Sequence, residues 1–126
     1  MRSPTAPDKR KFNRAGAAFA ARYSVVSPFE ERINFGEKER DAIANDLCED
    51  GVSLSTDYPV PVGTEILLKF RLLSGKIGLS DEERSRKFQA QGEVRNSIRG
   101  KDRSYRIGIR FTGLSGSDRD FIAGIL

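Results

Sequence analysis

Between Glu65 and Leu72 the chain sets its largest apolar groups at every second position: Ile66, Leu68, Phe70 and Leu72 fall on one side, Glu65, Leu67, Lys69 and Arg71 on the other. Successive side chains of a β-strand point to opposite faces, so this period predicts a strand with a buried row and a mostly polar outer row. The pattern recurs. Phe19, Ala21, Tyr23 and Val25 alternate with Ala20, Arg22 and Ser24 until Pro28 ends the run. Phe88, Ala90, Gly92 and Val94 alternate in the same way, as do Tyr105, Ile107, Ile109 and Phe111. These last two segments flank an Arg99-Gly-Lys-Asp102 turn and are expected to pair antiparallel.

Weaker signals fill the gaps. A polar stretch rich in Glu and Arg follows Pro28, and a strand is expected from about Arg40 to Leu47 with Ile43 and Leu47 facing inward. Asp46 to Gly51 turn the chain into a short strand carrying Val52 and Leu54. Tyr58-Pro-Val-Pro-Val-Gly63 reads as a connection, because proline lacks the amide that a central ladder needs. Ser74 to Lys87 is expected to be a long solvated hairpin loop, given two glycines and a dense charge cluster. Near the C-terminus, Ser117 followed by Asp120 suggests an N-cap, and Phe121, Ile122, Ile125 and Leu126 recur at helical spacing. The expected fold class is all-β: six antiparallel strands in a meander, closed into a barrel, with one short terminal helix. At 126 residues the chain holds one such domain.

Residues 1–14 differ from the rest. Two prolines and the cluster Lys9-Arg10-Lys11-Phe12-Asn13-Arg14 come with no periodic apolar face, so this segment is expected to be a flexible arm ahead of a barrel domain at 15–126. It also lacks the apolar run of a signal peptide or membrane span. A single cysteine and no histidine exclude an intramolecular disulfide and a cysteine-based zinc site. A cytoplasmic protein without membrane insertion is the expectation. No nucleophile and base pair can be named, so no enzyme activity and no cofactor are expected. With 22 Lys and Arg against 18 Asp and Glu, the net charge of +4 favours anionic partners.

Two short motifs stand out against this frame: Arg10-x-x-x-Arg14 in the arm, and Asp46-x-Cys48-x-x-Gly51 at the turn between two strands. Together they resemble the signature of the PilZ domain family, an RxxxR pair followed by a (D/N)xSxxG turn. Pro61-Val62-Gly63-Thr64, Gly92-Glu93-Val94 and Tyr105-Arg106-Ile107-Gly108-Ile109-Arg110-Phe111 follow in the family's order. The resemblance implies a PilZ-like barrel that binds cyclic di-GMP at Arg10, Arg14, Asp46, Cys48 and Gly51 and signals to a partner protein in motility, adhesion or exopolysaccharide control. Cys48 departs from the pattern, standing where the family usually has serine.

The chemistry of those residues suits such a ligand. Cyclic di-GMP is a compact dianion with two guanines. Arginine forks match phosphate oxygens or guanine O6 and N7, and a carboxylate such as Asp46 accepts from guanine N1 and N2. A glycine allows φ > 0 or a close approach that a Cβ would block. Plainer roles exist for each: a solvated basic arm, an ordinary turn in which Asp46 bonds local amides and Gly51 takes φ > 0, and a thiol that fills space. Phe70, Phe88, Tyr105 and Phe111 share rows with aliphatics and are expected in the core rather than on a base-stacking platform, which argues against nucleic acid as the partner. Three functions stay open: a cyclic di-GMP receptor and adaptor, a barrel that has lost the nucleotide and serves as a protein-interaction scaffold, and a basic barrel binding RNA or DNA.

Overall fold

In the computed structural model, which describes residues 18–73 and 85–125, the alternating rows close on one another. β1 (Phe19–Ser27), β2 (Arg40–Asn45), β3 (Gly51–Thr56), β4 (Glu65–Leu73), β5 (Ser85–Arg99) and β6 (Tyr105–Gly113) form a closed antiparallel barrel. A seven-residue helix α1 (Phe29–Phe35) joins β1 to β2, and α2 (Gly116–Ile125) follows β6. The order around the barrel is β1-β2-β3-β6-β5-β4, so the expected meander is corrected: β3 pairs with β6, and β4 closes on β1. Closure leaves no lateral sheet edge along the barrel body.

Register sorts the molecule into two ends. Phe19 of β1 lies opposite Ala44, and Gly51 of β3 opposite Arg110, so the start of β1, the β2–β3 turn and the end of β6 gather at one end. The end of β1, the start of β4 and the β5–β6 turn gather at the other.

Inside, Tyr23, Leu54, Ile66, Leu68, Val94 and Ile107 are fully enclosed, and the Phe70 and Phe88 rings stack 5.1 Å apart. α2 covers the turn end: Ile122 is buried, and the Phe121 ring lies 5.5 Å from Phe88. At the opposite end Phe35 of α1 packs 5.3 Å from Tyr23 and 4.9 Å from Tyr58, with the Arg40 guanidinium over both Phe35 and Tyr58. The Tyr23 hydroxyl shares a 2.5 Å hydrogen bond with Thr56, and burial raises its pKa above the ordinary phenol value.

Other details correct the sequence reading. The polar stretch after Pro28 is helical, because one buried residue, Phe35, is enough to seat so short a helix. Ile43 points outward at 47% exposure, while Ala42 and Ala44 take the inward positions of β2. Ser85, Arg86 and Lys87 belong to β5 rather than to the hairpin loop, whose remaining residues 74–84 lie outside the described residues. The α2 cap is Ser115, not Ser117: its Oγ accepts from the Asp118 amide at 3.1 Å. No helix among the described residues is long and apolar enough to cross a membrane.

Candidate functional site

The β2–β3 turn is held from several sides. Leu47 is sunk into the core, the Cys48 amide donates to the Gly51 carbonyl at 2.9 Å, and the Phe111 amide donates to Asp50 O at 2.8 Å. From α2, Arg119 Nη1 donates to Glu49 O at 2.8 Å. The turn that carries three of the singled-out residues is therefore fixed by the core, β6 and the terminal helix together.

Asp46, not Gly51, takes the left-handed backbone, with φ 51°. Its carboxylate accepts from Arg106 Nη2 at 2.5 Å rather than from local amides. Gly51 has a different necessity. A Cβ there would sit 2.0 Å from the Ile109 carbonyl oxygen, so β3 can lie this close to β6 only with glycine at the position. The sequence-based expectation of φ > 0 at Gly51 is thus replaced by close approach, and the positive φ moves five residues upstream.

Asp46, Cys48 and Gly51 line one cleft of about 580 Å³ on the outer wall of β3, β6 and β5. Gly51, Gly108 and Ser53 line its base, the Asn96 side chain lying so close to Gly108 that a Cβ there would meet it at 2.7 Å, and Arg95 and Arg110 stand beside it. Arg110 is exposed and carries no ion pair among the described residues, whereas Arg95 leans on Glu93 at 3.6 Å. Cys48 is half-buried with a free thiol. Acceptors (Asp46, Asp50), forked donors (Arg95, Arg110), the Asn96 amide and a base of glycine and serine suit an anionic, planar, hydrogen-bonding ligand. Among the described residues no group of acidic or sulfur side chains is placed to hold a metal ion.

Arg10 and Arg14 lie outside the described residues. Sequence reasoning passed over Arg95, Asn96, Gly108 and Arg110. A signal was present for the last two, since Arg106, Gly108 and Arg110 alternate with Ile107 and Ile109 and so had to share the outer face of β6.

The structure is thus a closed barrel with a charged cleft on its outer wall, lined at its base by glycine and serine. The chain belongs to the PilZ domain family, whose model matches residues 8–126, a span that takes in Arg10 and Arg14 as well as the whole barrel. No curated protein matches the chain.

Proposed function

We propose that this PilZ barrel is a cyclic di-GMP receptor that acts as an adaptor, with Arg10 and Arg14 completing the cleft built by Asp46, Cys48 and Gly51. The observation that carries the reading is the union in one cleft of the turn with Arg110, which has no ion pair among the described residues, beside Gly51 and Gly108. Strand register supports it. The chain enters β1 at Phe19 opposite Ala44, two residues from Asp46, and the five residues back to Arg14 span at most about 18 Å. On this reading the guanidinium forks take phosphate oxygens or guanine O6 and N7, and Asp46 accepts from a guanine edge. The segment ahead of β1 becomes ordered over the ligand and presents a new surface to a partner protein.

Calorimetric titration with cyclic di-GMP, with GTP and an oligonucleotide as controls, tests the reading. Arg10→Ala or Arg14→Ala is expected to weaken binding about ten- to a hundredfold with little change in Tm, since a charge-assisted hydrogen bond is worth about 1.5–3 kcal/mol. Saturating ligand is expected to slow tryptic cleavage after Lys9, Arg10 and Lys11. Equal cleavage with and without it would remove the ordering step. Cys48 favours a second reading, a scaffold that has lost the nucleotide, because a thiol is a weaker hydrogen-bonding group than the family's serine. Absence of any heat with cyclic di-GMP would leave that reading in place.

A further inference from the structure

β5 outruns its neighbour. Its last rung on β4 is Glu93 opposite Glu65, yet it continues along β6 to Arg99. Val94 is still held on the β4 side, donating to Thr64 O at 2.9 Å and accepting from the Gly63 amide at 2.8 Å. Beyond it, among the described residues, no main-chain bond reaches 95–99 from the side away from β6. The barrel is closed along its body but keeps one short open edge here.

The charges around that edge are lopsided. Arg95 leans on Glu93, and Arg99, Lys101 and Arg103 have only Asp102 among them in the 99–103 stretch. Arg99, Lys101 and Arg103 carry no ion pair among the described residues, although Arg22, Arg40, Lys69, Arg86, Arg106 and Arg119 all do. The tip between β5 and β6 is a tight turn in which the Ser104 amide donates to Lys101 O, with φ 57° at Asp102 and 61° at Arg103. Left-handed backbone at an arginine is unfavourable, and glycine or asparagine would relieve it, so the turn keeps a cation against local preference. Ile98, at 61% exposure, leaves an apolar side chain on the same stretch.

Cations on an open edge also guard against pairing between identical strands. An antiparallel copy of 95–99 would set Arg99 against Arg95, so the same charges that reject a second copy select an acidic strand. Phosphate on a nucleic acid or a lipid surface would satisfy the cations yet make no use of the open main chain. We propose that the β5 edge from Arg95 to Arg99 docks an extended acidic peptide segment of a partner protein, added as a further strand with its carboxylates against Arg99, Lys101 and Arg103. The edge shares Arg95 and Asn96 with the cleft, but the proposal does not rest on the nucleotide reading, and its test needs no nucleotide.

The test is a phage-displayed random-peptide selection on the full chain, with Arg99→Glu/Lys101→Glu/Arg103→Glu as the comparison. Acidic peptides of alternating pattern are expected from the wild type, and basic ones from the triple variant. The best acidic peptide, made synthetically, should bind the triple variant at least about tenfold more weakly. It should lose binding when its alternate amides are N-methylated, and it should slow hydrogen exchange at 95–99. Selection without acidic enrichment, protection elsewhere on the barrel, or indifference to N-methylation would overturn the proposal. So would tighter binding of the tip to an oligonucleotide or to phosphatidylserine vesicles than to any selected peptide. Circular dichroism of the triple variant checks that it folds; if it does not, Lys101→Glu alone, at the exposed tip, carries the same comparison.

Discussion

The wall of β1, β2 and β4 and the wall of β3, β6 and β5 are both hollowed, but charge is handled differently on each. On the first, a hollow of about 790 Å³ that reaches onto β5 holds two ion pairs, Arg22 Nε to Asp41 at 3.1 Å and Lys69 Nζ to Glu39 at 2.7 Å, with Lys87 also in its lining. On the second, the smaller cleft of about 580 Å³ has glycine and serine at its base, and its Arg110 carries no ion pair among the described residues. Volume therefore misleads. Exposed pairs contribute little and ask for nothing further, whereas a guanidinium with no ion pair among the described residues has donors to offer a ligand.

The strongest challenge to this contrast is Gly51→Ala. The added methyl would meet a backbone oxygen, so β3 and β6 must part, and stability is expected to fall by about 3 kcal/mol, the upper end of ordinary overpacking. Thermal denaturation reads this directly, and an unchanged Tm would show that the cleft floor is not rigid. Next comes a matched pair of substitutions. Arg110→Ala is expected to weaken cyclic di-GMP binding about ten- to a hundredfold, while Lys69→Ala on the opposite wall leaves it unchanged and costs at most about 1 kcal/mol of stability. Equal effects in calorimetry would erase the distinction between the walls.

The smallest expected effect belongs to Cys48→Ser. A hydroxyl facing the ligand adds about 0.5–1.5 kcal/mol and tightens binding about two- to tenfold. If the thiol instead packs away from the ligand, the hydroxyl is buried without a partner, and stability drops by about 1–3 kcal/mol with no gain in affinity. Paired melting and titration curves of the two proteins separate these outcomes.

Much of the barrel was legible because its core strands alternate cleanly: β4 and the inner rows of β1, β5 and β6 fall where the period of two puts them. β2 was misread for a physical reason. Its inward positions hold Ala42 and Ala44, and a bulky Ile43 on the solvent side inverts the usual size cue. α1 escaped notice because two of its three apolar residues, Phe29 and Ile33, face outward and only Phe35 turns in, leaving no stripe to read. Strand order depends on which rows meet across the core, and no local pattern encodes that. The turn half of the site was legible through Asp46, Cys48 and Gly51. Its opposite side was not, because Arg95 and Asn96 reach the cleft past a register shift between Val94 and Asn96.

Asp46, in the cleft lining, is already engaged by Arg106. On the proposed reading an incoming base does not add a bond to Asp46 but exchanges one, displacing a guanidinium that then needs an acceptor. Guanine balances the exchange, offering N1 and N2 hydrogens to the carboxylate and O6 and N7 to the released arginine. Adenine, with no paired donors for Asp46, would break the ion pair and return less. On that reading, a contact that looks like mere surface decoration would discriminate between purines.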